Sequence, residues 1–436
     1  INFLLEGYNL LTKLYSPGSG DLKNIEIKLT PKIEELNEVV VRGNLKKIFQ
    51  IKRMEDVEGT RIFAGKKNEV ILIDVSMANL ASNNARQIYN QIPGLNIYQN
   101  DDAGLQLNIG GRGLNPNRTA NFNTRQNNYD ISADALGYPE SYYTPPPEGL
   151  EEIQILRGAA SLQYGTQFGG LINFKIKEPK PDDKFELITR NTAGSNNLFT
   201  NFTSISSSRK KSSYYGYVNY KNGDGFRPNS EFESINTFQN FNYNLSDKSK
   251  ISADITYMEY LAHQAGGLSD FMFANDPFQS NRERNWFEIK WFLYNLKYLL
   301  EISENSSFSF SFFGLDAKRN SLGFRTNRVD QIDFGEERDL IKGEFKNFGF
   351  ESRFLTNYSF LNKKSYLLLG AKYYNSFSES IQGPGSNSKN AEFNFDYINF
   401  PNYVNQSEYI YPNYNFAIFG ENIFYLNDKV SITPGF

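Results

Sequence analysis

The sequence predicts a mainly β protein in which an α/β domain sits inside a partial antiparallel transmembrane β-barrel. Three observations carry that prediction. From about Lys184 the chain falls into long segments of two-residue alternation. The connections between them alternate short and long. Ahead of them lies a compact, glycine-punctuated stretch of mixed helix and strand pattern.

Composition narrows the classes first. Aromatic residues make up 15% of the 436 residues, with 37 Phe and 28 Tyr against 2 Trp, yet mean hydropathy is −0.54. Dense apolar runs such as Tyr366–Leu369 fall far short of the roughly 20 residues a membrane helix needs. A helical membrane protein is excluded. A membrane barrel is not, because its strands alternate lipid-facing apolar with lumen-facing polar residues. Cysteine is absent and His263 is the single histidine, which removes disulfide frameworks, Cys-based metal sites and most His-dependent catalysis. Basic residues are scattered at a net charge of −3, so nothing supports nucleic-acid binding.

Residues 1–30 hold strand-like runs around Ile1–Leu5 and Ile25–Leu29, joined by the turn-rich Ser16-Pro17-Gly18-Ser19-Gly20-Asp21. That is too little to bury a core, so they read as the tail of a small β-domain. Residues 31–60 are charged and mixed around one hydrophobic word, Val39-Val40-Val41, and read as a linker. In residues 61–183, Val70–Val75 predicts a buried strand. Leu80, Ala85, Ile88, Tyr89 and Ile92 recur at helical spacing until Pro93-Gly94 stops them. Short strands follow around Leu95–Tyr98, Leu105–Ile109, Glu152–Arg157 and Leu171–Lys177, and Pro145-Pro146-Pro147 marks a rigid connection.

Residues 184–436 predict about eleven strands, of which Ser307-Phe308-Ser309-Phe310-Ser311-Phe312 shows the alternation most plainly. Short turns are expected at Ser246–Ser249, Ser303–Ser306, Leu361–Lys364 and Leu426–Lys429. Long polar loops are expected near Gly223–Ser230, Leu261–Arg284, Ser321–Lys342 and Phe377–Tyr411. Such loop asymmetry favours an outer-membrane barrel over a soluble jelly roll. An open, odd-numbered sheet would leave backbone groups unpaired in lipid. With no signal-like segment at Ile1 and an apparent strand beginning at Val430–Thr433, the sequence reads as incomplete at both ends.

Several ordered words carry a resemblance. Gln91-Ile92-Pro93-Gly94-Leu95-Asn96-Ile97, Ile109-Gly110-Gly111-Arg112-Gly113-Leu114, Glu152–Gly165 and Phe168-Gly169-Gly170-Leu171-Ile172-Asn173 together resemble the plug of TonB-dependent receptors. The match is dense over 70–177 and extends to the barrel by pattern alone. On their own chemistry, the glycines read as sites of tight turning and close backbone approach. Arg157 reads as a plug-to-wall ion pair.

The stretch after Arg112 is rich in guanidinium and amide groups. Arg112, Arg118, Asn123, Arg125, Gln126, Asn127 and Tyr129 are its candidate ligand residues, because arginine forks suit carboxylates. Arg112 reads first as a structural pair inside the plug, Arg118 and Arg125 equally as structural pairs or ligand contacts, and Asp130 and Asp134 as braces or turn caps. His263 reads as an incidental loop residue. No nucleophile–base constellation is present, so no catalytic residue, no enzyme activity and no cofactor is expected.

The resemblance implies the rest. It points to the ferric-dicitrate branch, with a barrel of 22 strands when complete, and to residues 1–30 as the end of a carboxypeptidase-regulatory-like β-domain. It implies a plug over 61–183, the N-terminal half of the barrel over 184–436, and residence in the outer membrane among its lipids. Leu36-Asn37-Glu38-Val39-Val40-Val41 resembles a TonB box, which makes Glu38, Val39, Val40 and Val41 the contacts for TonB, energised with ExbB and ExbD. The same word also reads as the last strand of the preceding β-domain. The implied cargo is a ferric chelate, ferric citrate first, with iron carried chelated and no metal held by the protein directly. The alternatives are a SusC-like glycan importer or another nutrient importer, and a non-transporting adhesin barrel.

Overall fold

The computed structural model describes residues 52–436 apart from 102, 158–161, 166–168, 181–183 and 428, together with Asn2–Phe3, Leu11–Thr12 and Lys28. The chain divides into two units, 1–48 and 49–436. In the first, β1 (Asn2–Phe3) pairs antiparallel with β2 (Leu11–Thr12). That partner comes earlier than the turn-rich 16–21 segment suggests. Of the strand expected at Ile25–Leu29 only Lys28 is described. The candidate TonB contacts Glu38–Val41 lie outside the described residues, as do the motif positions 158–161 and 168.

The second unit opens with a small hairpin, β3 (Val57–Glu58) and β4 (Arg61–Ile62). A strand β5 (Asn68–Leu72) follows, shorter than expected because Ile73–Val75 turns into a single 3₁₀ coil. The expected helix shrinks to α1 (Ala85–Ile88). Asn83 adopts a left-handed φ of 51°, which stops a helix extending upstream. Asn84 caps the remaining turn by accepting from the Gln87 amide at 3.2 Å. Strands β6 (Leu95–Tyr98) and β7 (Asn108–Gly111) pair as a separate ribbon.

The segment read as a ligand loop contains two further strands, β8 (Phe122–Gln126) and β9 (Tyr129–Asp130). They join β5, β10 (Leu150–Arg157) and β11 (Gly170–Ile176) in one sheet of order β5-β10-β11-β8-β9. The β8–β11 pairing is parallel and the others are antiparallel. At the head of β11, Gly170 has φ 118°, and a Cβ there would lie 1.9 Å from the Leu156 carbonyl oxygen. Only glycine permits that approach.

An eleven-stranded antiparallel meander follows. It comprises β12 (Glu186–Ala193), β13 (Phe199–Ser208), β14 (Ser212–Gly223), β15 (Phe232–Ser246) and β16 (Ser249–His263). A helical turn α2 (Asp270–Asn275) precedes β17 (Trp286–Ser303). Then come β18 (Ser306–Gly323), β19 (Arg338–Phe360), β20 (Lys363–Gly385), β21 (Ser407–Tyr425) and β22 (Ser431–Ile432). The expected short turns fall where the sequence placed them, and all lie at one end of the sheet. The long loops share the other end, and the three after β16, β18 and β20 are shorter than expected, because strands of up to 23 residues run on past the apolar segments.

The two faces of this sheet differ, as period-two alternation requires. Phe202, Tyr217, Phe238, Trp291, Leu293 and Phe313 point inward. They share one buried core with Ile131, Tyr142, Tyr143, Ile172 and Phe174 of the plug sheet and its loops. Each such ring contributes roughly 2 kcal/mol of apolar burial, so the plug is held by many contacts rather than one. The opposite face carries Phe241, Phe310, Phe350, Leu369, Phe416 and Ile418, the last two 65% and 64% exposed. Rings stack across strands within this band, with Phe312 and Phe350 centroids 5.0 Å apart. Toward the long loops the band gives way to the ion pairs Lys290–Glu259 and Lys318–Glu344. An apolar belt bounded by charge is what a sheet facing hydrocarbon requires. Among the described residues no helix is long and apolar enough to cross a membrane.

Candidate functional site

Two polar layers join the plug to the wall. The first lies midway along the strands. Arg125 on β8 is fully buried, and its guanidinium contacts Asp130 at 3.3 Å, Glu351 at 3.5 Å and the Asn123 side-chain oxygen at 2.7 Å. Lys372 on β20 pairs with Asp130. Arg353 on β19 bonds Glu351 at 2.7 Å and reaches Gln163 of the plug. The Tyr164 ring is flanked by Arg125 at 4.8 Å and Arg353 at 5.1 Å, a cation–π sandwich in a dry setting. Gln126 donates to Thr256 at 3.0 Å, and Asn127 to Asp254 at 3.2 Å. Near the short turns Thr60 and Ser309 hydroxyls meet at 2.7 Å, and Lys66 pairs with Glu421.

This layer corrects the sequence reading. Asn123, Arg125, Gln126 and Tyr129 are all buried between plug and wall, so they present no surface to a solute. Asn127 is committed to Asp254 and to the Ile176 amide. Arg112 is exposed on the turn after β7, its amide 3.4 Å from the Gly94 carbonyl, and makes no ion pair among the described residues. Arg157 pairs not with the wall but with Glu69 of the neighbouring plug strand at 2.8 Å. Asp130 does brace Arg125, as expected.

Burial raises the cost of charging Asp130, but the Arg125 and Lys372 charges overcome it and hold the carboxyl below the usual aspartate range. Its contribution is therefore fully present above the unfolded value of about 3.9 and is lost as pH falls through the folded value. Protease protection of the plug is expected to hold from pH 7 to pH 5 and to collapse below about pH 4; limited proteolysis across that range checks it. Burial pushes the neighbouring Arg61 down to about 10, which leaves it cationic at neutral pH.

The second layer faces the long loops. Arg118, in the turn Asn117–Thr119, donates to Glu140 at 2.8 Å, and its guanidinium lies 5.2 Å over the Tyr142 ring. Arg319 of β18 approaches the same ring at 5.8 Å. Its Nη2 donates to the Tyr138 hydroxyl at 3.3 Å, while its Nε is buried with no hydrogen-bond partner. Tyr138 stacks on Phe345 at 5.3 Å. Asp134 accepts from Tyr374 at 3.0 Å and from Asn413 at 2.8 Å, capping the loop as expected. Beside these groups lies a cavity of about 290 Å³ whose lining includes Arg319, the carboxylates Asp134 and Glu379, Tyr138, Ser378 and Tyr411. The Ser378 hydroxyl, like Arg319 Nε, is buried and unpartnered. Buried donors without acceptors are costly unless something supplies them.

Of the candidate ligand residues, only Arg118 reaches this layer. Arg319 and Tyr411 were not singled out. Their signal was inward parity on β18 and β21, which is legible only once the register is known. Above the cavity, Arg282, Arg284 and Arg338 tie the loops 264–285, 324–337 and 386–406 together through backbone carbonyls and Asp333. His263 ends strand β16, stacks on Trp286 at 4.0 Å and bonds Glu231 at 2.8 Å, so it is a structural residue and not an incidental one. No cluster of His, Cys, Asp or Glu suited to a metal ion occurs among the described residues.

A plug sheet locked by buried charge inside an amphipathic wall defines a plugged-barrel fold. Residues 74–171 match the TonB-dependent Receptor Plug Domain. No curated protein matches the sequence. The ferric citrate transporter FecA in its unliganded form shares the fold at a TM-score of 0.70 and 18% identity, covering 85% of this chain and 55% of that one. The ferripyoverdine receptor of the Pseudomonas aeruginosa outer membrane, bound to ferripyoverdine, does so at 0.66 and 14%, covering 85% and 51%. The ferric-catecholate import receptor Fiu of E. coli K12 does so at 0.63 and 10%, covering 87% and 61%. The chain thus spans 51 to 61% of the length of these structures.

Proposed function

We propose that the chain is the plug and part of the barrel of a TonB-dependent outer-membrane importer whose cargo is an anionic ferric chelate, with ferric citrate the leading case. The observation that carries this is the cavity at the plug apex. There Arg319 lines the cavity with one guanidinium nitrogen buried without an acceptor, and Arg319 and Arg118 flank the ring of Tyr142 beside it. A carboxylate-bearing anion supplies the missing acceptor and meets the fork geometry of arginine. Arg118 and Arg319 are its charged contacts in this reading, with Tyr138 and Tyr411 as hydroxyl partners. TonB engages Glu38–Val41 from the periplasm, energised with ExbB and ExbD, and no bound cofactor is required.

The stacked Tyr409–Tyr411 pair, 6.2 Å between centroids, supports a second reading in which a glycan packs on tyrosine faces. One comparison separates the two. R118A/R319A is expected to weaken ferric citrate binding by about 10–100-fold, the worth of one or two charge-assisted hydrogen bonds, while Y411A changes it little. Equilibrium binding of radio-iron citrate to cells measures both. Parent-level affinity in the double variant rules out the anionic cargo, and a loss confined to Y411A favours the glycan.

A further inference from the structure

At the short-turn end, a cavity of about 840 Å³ opens on the inner side of strands β13 to β16. Lys184, Arg209, Lys210, Lys211 and Lys250 line it, against the single acid Glu178. None of the five cations makes an ion pair among the described residues. Like charges gathered this closely repel and hold a standing positive potential, which concentrates anions in a walled mouth.

The charge continues inward. Lys250 lies directly across from Asn244, and so faces the cavity that Asn244 lines. On the next strand Lys297 stands opposite Ser252, one inward position deeper. Asp254, the next inward position of β16 beyond Ser252, is occupied by amides, accepting from Asn240 at 2.6 Å, Asn127 at 3.2 Å and Asn295 at 3.4 Å. A run of lysines at inward positions thus descends through Lys297 and Lys250 to the mouth at Lys211.

We propose that this run is the exit track for the cargo. When the plug shifts, an anionic carboxylate chelate is handed along the wall from Lys297 to Lys250 and released past Arg209–Lys211. The inference rests on the reading of the chain as an importer of anions. It assigns a route through the lumen of the first strands, remote from the apex cavity where the cargo is first held.

The test uses the full-length receptor in iron-starved cells, with radio-iron citrate as probe. In K250E/K297E, energised uptake is expected to fall about tenfold, the scale of an electrostatic rate effect. Binding to de-energised cells stays within about twofold of the parent, and K250R/K297R takes up citrate at the parent rate. If the acidic variant fails to reach the surface, K250Q/K297Q replaces it, with a fall of about threefold expected. Uptake within twofold of the parent in the charge-altered variants overturns the track. So does an equal loss in the arginine variant, which marks a structural role. A loss confined to R209E/K210E/K211E overturns it as well, since that pattern marks a docking surface for a protein. Failure of the importer reading itself shows separately, as absence of uptake by the unaltered receptor.

Discussion

Val40→Pro is expected to reduce energised uptake of ferric citrate to background while surface binding stays within about twofold of the parent. The reasoning is local. Val39-Val40-Val41 is a β-branched run in a charged stretch, suited to adding as a strand to a partner's sheet edge. Strand addition depends on backbone donors. Proline removes one and fixes φ near −65°, which breaks the ladder at its centre. The described lining of the apex cavity falls within residues 134–411, so on the proposed function binding of the cargo is expected to persist while its uptake stops. Uptake at the parent rate would show that the force is applied elsewhere.

The barrel wall was legible in the sequence because its signal is periodic. Ser307–Phe312 predicts alternation, and the structure turns Phe308, Phe310 and Phe312 outward and Ser309 and Ser311 toward the plug. The short turns were legible for the same reason, since Ser, Asn and Lys interrupt that period. Strand lengths were not, because beyond the apolar band strands continue on backbone pairing alone, as in Phe377–Gly385.

The site was legible in part. Phe122-Asn123-Thr124-Arg125-Gln126 has the composition of a polar loop, yet it is a buried strand. Its Arg125 and Gln126 find partners on the wall some 130 to 230 residues further along the chain, at Glu351 and Thr256. No local pattern reveals such partners. Arginine and amide enrichment therefore marked the plug–wall lock as readily as it marked a ligand surface. Arg118 was found because it lies beside the lock in sequence. Arg319 was missed because it belongs to the wall.

In the proposed import cycle the plug is seated within the wall and must leave that seat for cargo to pass. Thr60 and Ser309 offer a direct test, since their hydroxyls meet at 2.7 Å from opposite sides of the contact and the chain has no cysteine of its own. In T60C/S309C the two sulfurs can close a disulfide with little movement. Oxidised cells are expected to carry the cross-link, bind ferric citrate normally and take up none, with uptake restored by a reductant. Failure of the bond to form, or uptake at the parent rate with the bond in place, would contradict the account.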